Sequence, residues 1–171
     1  MNEKLIFLDI DGVLNPSAYY VMLHRLWKAS NGQIKAWDKY GFLFFDQNCK
    51  ALKNIVDETG AKIVICSTWR WAGIMHLKDM WEYRNLAGEI IDITPTEDKL
   101  YASGYVKVGD NVCRGKEIQY WIDENKFTGN YVIIDDTKDM LNKQQKYFVS
   151  PNGLYGLTMV DSKKAIRILN Y

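Results

Sequence analysis

Short apolar runs that end in polar residues alternate along the chain with longer segments of helical periodicity. Runs at residues 4–8, 61–66 and 131–134 are rich in Ile, Val, Leu and Phe and predict buried strands. Shorter runs at 88–94 and 147–149 predict two more strands. Apolar residues at helical spacing predict helices over residues 18–29, 46–58, 72–83, 115–125 and a closing segment that begins at Asp161 or Ser162. Asp46 is the expected N-cap of the second of these helices. This alternation is typical of an α/β fold around a mainly parallel sheet.

The first apolar run ends at two aspartates. Asp9 and Asp11 are two positions apart, so on a strand their side chains point to the same face, and Gly12 allows the chain to turn away. Because ligands bind at the carboxyl ends of strands in open α/β sheets, both acids can serve one site. Such a pair suits a divalent cation and nucleophilic chemistry on phosphorus. A Ca²⁺ loop is the alternative, but no third acid and no closing glutamate follow at the required spacing.

Four motifs, in order, carry a family resemblance. Asp9-Ile10-Asp11-Gly12-Val13-Leu14 resembles the first motif of the haloacid dehalogenase (HAD) superfamily, whose members are mostly phosphohydrolases. The strand 61–66 with Ser67 resembles the second motif, Arg114-Gly115-Lys116-Glu117-Ile118 the third, and Tyr131 to Asp136 the fourth. Ser67-Thr68-Trp69-Arg70, the third motif and Gly156-Leu157-Thr158 further resemble the HAD branch associated with nucleic-acid repair proteins. The resemblance implies a three-layer α/β/α Rossmann-like fold.

The resemblance also implies roles for the acids. Asp9 would attack phosphorus, and Asp11 would act as general acid and base. Mg²⁺ would be held by Asp9, by the backbone carbonyl of Asp11 and by Asp135, with Asp136 or Asp139 in support. The alternative for the acidic pair at 135 and 136 is a capped loop, since acidic residues also cap the short helix that residues 138–143 can form.

Phosphate-binding residues are expected in the second and third motifs. The resemblance assigns the Ser67 hydroxyl to a phosphate oxygen, with Thr68 beside it. It assigns the third-motif cation to Arg114, because glycine follows it directly, and leaves Lys116 as the alternative. Arg70, three positions beyond the serine, can reach a phosphate bidentately, although a surface ion pair explains it almost as well.

Length and spacing limit the domain organisation. The 171 residues fit one HAD-like domain over 1–171, with a small flap around 16–45 and a short insertion around 92–112. These insertions leave room only for a small cap or none, and an open site favours large substrates such as nucleic-acid ends. Aromatic residues at 33–45 can stack on a base or form the flap's packed underside. The net charge of +1 argues against tight, non-specific DNA binding.

The number and spacing of the cysteines and the length of the apolar runs indicate the cellular compartment. Cys49, Cys66 and Cys113 are an odd number at unrelated spacings, which favours reduced thiols in a cytoplasmic protein. The apolar runs are far too short to span a membrane, and no obligate protein partner is indicated. The stretch from Cys66 to Arg70 lacks the spacing and glycines of a cysteine-phosphatase loop, so Cys66 is interpreted as a core residue.

The sequence therefore predicts an Mg²⁺-dependent phosphatase that forms an aspartyl-phosphate intermediate. The first choice of substrate is a polynucleotide 3′-phosphate end, and the second is a nucleoside monophosphate. A non-catalytic module that binds phosphate or nucleic acid is the alternative from a different class, although such a module needs no nucleophile.

Overall fold

Five parallel strands form the central sheet of the computed structural model, which describes residues 3–171. In chain order the strands are β1 (Lys4–Leu8), β2 (Trp37–Asp38), β3 (Gly41–Phe42), β4 (Lys62–Ile65), β5 (Ile90–Ile93), β6 (Asn130–Ile134) and β7 (Phe148–Val149). The helices are α1 (Ser17–Ala29), α2 (Asp46–Thr59), α3 (Ile74–Tyr83), α4 (Glu97–Ala102), α5 (Arg114–Glu124) and α6 (Met159–Leu169). Two 3₁₀ helices cover Thr68–Ala72 and Asn142–Tyr147. The predicted α/β class is confirmed.

The sheet has the order β5-β4-β1-β6-β7, which places β1 at its centre. The side chains of β1 alternate between two hydrophobic clusters. Ile6 and Leu8 face the cluster to which α2, α3 and α6 contribute, whereas Leu5 and Phe7 face the cluster of α5. Helices therefore cover both faces of the sheet, as a parallel sheet requires.

Two helix predictions were wrong. The polar segment 96–112, for which no helix was predicted, contains α4, whose Leu100 is buried with Val106 and Tyr120 in a small separate cluster. Conversely, the helix predicted over 138–143 is absent, and a 3₁₀ helix begins at Asn142 instead. A short segment contains too few apolar residues for their spacing to distinguish a helix from a loop. Its tertiary contacts then decide which of the two forms.

Helix starts also differ from the predicted ones. Asp46 was predicted to cap α2, but it lies in the first turn, after Phe45. α6 begins at Met159, because Thr158 forms a reciprocal capping box with Asp161 in which each side chain accepts the other's backbone N–H at 3.2 Å. The predicted start at Asp161 is therefore the third residue of the helix.

Residues 16–45 contain α1 and the antiparallel hairpin of β2 and β3. A nearly buried ion pair holds the hairpin on the body of the domain. Arg84 donates from Nε and Nη2 to the two carboxylate oxygens of Asp38 at 2.9 and 2.8 Å, and its guanidinium lies 4.3 Å from the centre of the Phe44 ring. Burial raises the pKa of Asp38, but the hydrogen bonds from Arg84 and from the backbone N–H of Tyr40, together with the charge of Arg84, outweigh it and leave the pKa lowered.

Within residues 3–171, every helix is too short or too polar to cross a lipid bilayer.

Replacement of Arg84 by methionine should release the hairpin, because it leaves the Asp38 carboxylate nearly buried without its partner. We expect a loss of roughly 2–4 kcal/mol in the free energy of docking the hairpin, seen as faster proteolysis within residues 33–45. Because the pKa of Asp38 is lowered, the same release should occur in the wild type as the pH falls below about 3.9. The exposed Arg167→Met is the matched control. Equal cleavage rates for Arg84→Met and wild type would contradict the role of the ion pair.

Candidate active site

The parallel pairing of β1 with β6 brings the acids of the first and fourth motifs together. Leu8 pairs with Ile134, so the next residues, Asp9 and Asp135, follow adjacent strand ends. On the other side Leu8 pairs with Ile65, which places Cys66 and Ser67 beyond the neighbouring strand end. Three of the four motifs thus meet at the carboxyl edge of the three central strands, where ligands bind in such sheets.

Three carboxylates form a compact cluster at this edge. Oxygens of Asp9, Asp135 and Asp136 lie within 4.8 Å of one another. Asp135 is fully buried. Its Oδ1 accepts the N–H of Thr137 at 2.9 Å, while Oδ2 has no hydrogen-bond partner in the described part of the chain. An all-carboxylate donor set with an unsatisfied buried oxygen fits a hard divalent cation such as Mg²⁺.

Without a cation, the burial of these carboxylates and the repulsion between them raise the free energy of their ionised forms. Burial, followed by the charge of Asp9, raises the pKa of Asp135 to about 7. Burial also raises the pKa of Asp9, although Arg114 and the Ser67 hydroxyl oppose that shift. The same cause raises the pKa of Asp136. A bound cation would offset the burial and the mutual repulsion of all three carboxylates and so favour their ionised forms.

Close packing fixes the position of Asp136. A Cβ atom at Gly12 or at Gly153 would overlap the carboxylate of Asp136, so both glycines allow a close approach. Gly12 also has a φ of 73°, a left-handed conformation that disfavours other residues. Asp139, the other acid considered for the metal, instead accepts the backbone N–H of Arg114 at 3.1 Å. The structure therefore brings Asp136 rather than Asp139 into the cluster.

Asp11 stands apart from the carboxylate cluster. Its side chain is exposed, and its two oxygens accept the Asn15 amide at 3.1 Å and the indole N–H of Trp69 at 2.9 Å. An exposed carboxylate held in a fixed orientation is placed to exchange a proton with a substrate or with water. The predicted metal contact of Asp11 was through its backbone carbonyl, which leaves this side chain free for that role.

Arg114 is the third-motif cation that faces the acids. It is the first residue of α5, and its Nε lies 3.4 Å from Asp135 and 3.9 Å from Glu117. Lys116 instead donates its amine to the backbone carbonyl of Asn111 at 2.6 Å and does not line the cleft. Of the two cations that the sequence left open, the structure therefore places Arg114 beside the acids.

Arg70 is engaged with the protein itself. Its Nη1 donates to the carbonyls of Cys66 and Ser67 at 2.7 and 3.0 Å, and its Nη2 donates to Glu117 at 2.7 Å. Since Glu117 also lies near Arg114, a buried Arg–Glu–Arg network joins the second motif to the third. The sequence left open a phosphate contact or a surface ion pair for Arg70; the structure shows an ion pair with Glu117, which is nearly buried rather than at the surface.

A cleft of about 540 Å³ opens above these groups. Asp9 lies at its base, and Ser67 is fully buried beside it. The cleft is lined by Asp9, Asp11, Gly12, Asn15, Ser17, Tyr20, Val21, Thr68, Arg114, Asp136, Thr137 and Gly153. The N-terminus of α1 forms one wall, because the N–H groups of Ser17 and Ala18 bond to the carbonyls of Gly153 and Leu154.

Comparison with protein families gives one match that covers most of the chain. The model of the HAD domain in Swiss Army Knife RNA repair proteins matches residues 5–162. The chain belongs to this family. Comparison with curated proteins and with solved structures gave no match. The family membership confirms the predicted resemblance to HAD domains of nucleic-acid repair proteins.

Two side-chain contacts between the motifs of this HAD domain were not predicted from the sequence. It did not pair Trp69 with Asp11, which are 58 positions apart, and it did not pair Glu117 with Arg70, which are 47 positions apart. The motifs contained all four residues, but spacing alone does not show which polar partners meet across separate strands. A buried glutamate one helical turn after Arg114 was the available signal.

Asparagine at position 135 should stabilise the metal-free protein. Because the pKa of Asp135 is raised to about 7 in the folded state, its ionisation opposes folding, and the metal-free wild type should lose stability as the pH rises from about 4 to 7. At pH 8 with chelator, we expect Asp135→Asn to gain roughly 1–4 kcal/mol in unfolding free energy. Millimolar Mg²⁺ should stabilise the wild type but not the variant.

The exposed Asp79→Asn is the control for that comparison and should behave as the wild type. Lower metal-free stability of Asp135→Asn, or a full response of the variant to Mg²⁺, would contradict the assignment of Asp135 to a cation site.

Glutamine at position 117 should weaken the buried network. Glu117 and Arg70 are both nearly buried, so loss of the carboxylate leaves an uncompensated guanidinium. We expect a loss of roughly 2–4 kcal/mol in the free energy of unfolding, measured with urea. In a cycle with Arg70→Met, the double variant should lose less than the sum of the single losses. The exposed Glu58→Gln should change little, and strict additivity in the cycle would show that the ion pair has no such role.

Proposed function

We propose that this HAD domain hydrolyses a phosphomonoester at the end of a polynucleotide, with a 3′-phosphate as the preferred group. The observation that carries the proposal is the placement of Asp9 at the base of an open cleft, beside the Arg114 guanidinium and the Ser67 hydroxyl. A carboxylate, a cation and a hydroxyl around one point are what an in-line attack on phosphorus needs.

In the first step, an Asp9 carboxylate oxygen attacks phosphorus. The bond between phosphorus and the leaving oxygen breaks as the aspartyl-phosphate forms, and Asp11 donates a proton to that oxygen. The resulting Asp11 carboxylate then takes a proton from water, which attacks phosphorus and releases inorganic phosphate and free Asp9. The hydrogen bonds from Trp69 and Asn15 keep Asp11 oriented through both steps.

Arg114 and Ser67 would hold the phosphoryl oxygens. The guanidinium supplies fixed positive charge that need not reorganise as charge shifts in the transition state. Arg70 contributes indirectly, because its bonds to the Cys66 and Ser67 carbonyls hold the loop that carries the hydroxyl. Thr68 lines the cleft and is placed to add a further hydroxyl.

A divalent cation fits the cluster described above. Asp9, Asp135 and Asp136 would hold it, with the backbone carbonyl of Asp11 as a further ligand, and the oxygen donors favour Mg²⁺. When bound, such an ion reduces the repulsion between the carboxylates and the phosphate and polarises the phosphoryl oxygens.

An open cleft and the family membership support a polymer end as substrate. The cleft is bounded by α1 and by the loop at 153, and a terminal phosphate of a long chain can enter without a lid being displaced. Nucleoside monophosphates can enter as well, so the preference has to be measured.

Phosphate release should require both Asp9 and Mg²⁺. We expect the wild type with Mg²⁺ to release phosphate from a 3′-phosphorylated oligonucleotide faster than from mononucleotides. Asp9→Asn or chelator should lower the rate by at least about a thousandfold, because the nucleophile or its activation is lost. Asp79→Asn is the exposed control.

Release from mononucleotides alone would establish a nucleotidase instead. Retained Mg²⁺ binding by folded protein that releases phosphate from neither substrate would favour a binding module and contradict the proposed hydrolysis.

A further inference from the structure

Five aromatic side chains form a continuous surface between α1 and the hairpin of β2 and β3. This aromatic strip consists of Tyr20, His24, Trp27, Trp37 and Phe42. Along α1, the ring centres of Tyr20 and His24 lie 6.3 Å apart and those of His24 and Trp27 lie 5.9 Å apart, with interplanar angles of 7° and 22°. Phe42 lies 4.3 Å from Tyr20, and Trp37 lies 4.7 Å from Trp27. The five rings therefore share one surface.

The strip begins in the catalytic cleft and leads away from it. Tyr20 lines the cleft, three residues beyond Ser17, which lines it as well. From Tyr20 to Trp27 the helix advances roughly 10 Å along its axis. A polymer whose terminal phosphate lies in the cleft and whose next units pass over α1 has this row of rings beside those units.

Core packing does not account for these rings. Within residues 3–171, none of the five belongs to the hydrophobic clusters of the domain or packs against them. Tyr20 and Trp37 keep 47% and 43% of their surface exposed. Their apolar neighbours are exposed as well: Val21, Met22, Leu26 and Ile34. An exposed apolar surface that continues out of a cleft is typical of a binding site.

The segment that carries most of the strip's surroundings has an excess of positive charge. Residues 16–45 include four basic side chains, Arg25, Lys28, Lys35 and Lys39, whereas the whole protein carries a net charge of only +1. The one acid of this segment, Asp38, is bound by Arg84. This local excess of positive charge favours a polyanion over a neutral or basic partner.

We infer that the aromatic strip binds the bases of a single-stranded nucleic acid whose terminal phosphate lies in the cleft. The inference rests on the proposed function for the position of that phosphate. Aromatic rings that stack on bases, combined with basic side chains along the backbone, are the means by which proteins hold single strands. A duplex keeps its base faces stacked inside and cannot use the rings. At about 3.4 Å per stacked nucleotide, a strip of roughly 10 Å accommodates about three bases.

The test is direct binding, measured by fluorescence anisotropy in chelator so that turnover does not interfere. Single-stranded RNA and DNA with a 3′-phosphate should bind more tightly as their length increases from one to about four nucleotides, and little more beyond that. Trp37→Ala should weaken binding of an eight-nucleotide strand at least about tenfold, because one stacking surface is lost. Trp37→Phe, which keeps a ring, should retain most of the affinity.

Trp71→Ala is the matched control, since Trp71 is 67% exposed and lies outside the strip. It should leave the dissociation constant within about twofold of the wild-type value. Circular dichroism of each variant verifies that the fold is intact. Equal affinities for wild type and Trp37→Ala, equal affinities for single strands and blunt duplexes, or no dependence on length would overturn the inference. Self-association that Trp37→Ala abolishes, without nucleic-acid binding, would also overturn it and assign the strip to a contact between copies.

These experiments distinguish failure of the proposed hydrolysis from failure of the inference about the aromatic strip. Binding that depends on Trp37, in protein that releases no phosphate with Mg²⁺, would contradict the proposed hydrolysis and support the strip. Phosphate release from oligonucleotides with no effect of Trp37→Ala on binding would support the hydrolysis and contradict the strip.

Discussion

The concentration of negative charge at the carboxyl edge of the sheet is the constraint on which the rest of the site depends. Asp9 and Asp135 follow paired strands, so their separation is set by the spacing of the sheet, and they cannot move apart without breaking backbone hydrogen bonds. Burial removes the water that would otherwise screen them, and the pKa of Asp135 rises to about 7 as a result. Such a cluster persists because opposite charge is fixed beside it.

That opposite charge comes from Arg114 and from the network behind it. Arg114 lies close to Asp135, while Glu117 links it to Arg70 and so to the loop that carries Ser67. The contact of α5 with the loop after β6 completes the arrangement, since Gly115 permits close approach and the buried Gln144 donates to its carbonyl at 2.9 Å. A phosphate, a cation or both can therefore bind among groups that are already oriented, which lowers the entropic cost of binding.

The part of the chain between the first motif and α2 is held in the domain differently from the carboxylate cluster. Its hairpin is held by the Asp38–Arg84 pair and by Phe44, which is buried in the main core, whereas the rings of the aromatic strip pack on one another outside that core. The carboxylate cluster follows strands of the sheet, whereas the aromatic strip presents an exposed surface beside the cleft.

By itself, the sequence determined the fold class, the positions of the central strands and the acids that follow them. Apolar runs that end in Asp9, Ser67 and Asp135 are local signals, and parallel sheets bring such strand ends to one edge whatever their separation in sequence. The family resemblance supplied an expected role for each of these residues. Local signals were weakest at helix ends and in short segments, so α4 was missed and a helix was wrongly predicted over 138–143.

Only the tertiary structure decided which polar groups become partners. It turned Arg70 inward to Glu117, faced Arg114 rather than Lys116 toward the acids, brought Asp136 rather than Asp139 into the carboxylate cluster, and placed Trp69 against Asp11. For Arg114 and Lys116, and for Asp136 and Asp139, two chemically similar residues lie close in sequence, and the direction of the helix or loop determines which one faces the acids. The physical reason is that hydrogen bonds and ion pairs depend on distances of a few ångströms between elements far apart in sequence, which no local pattern encodes.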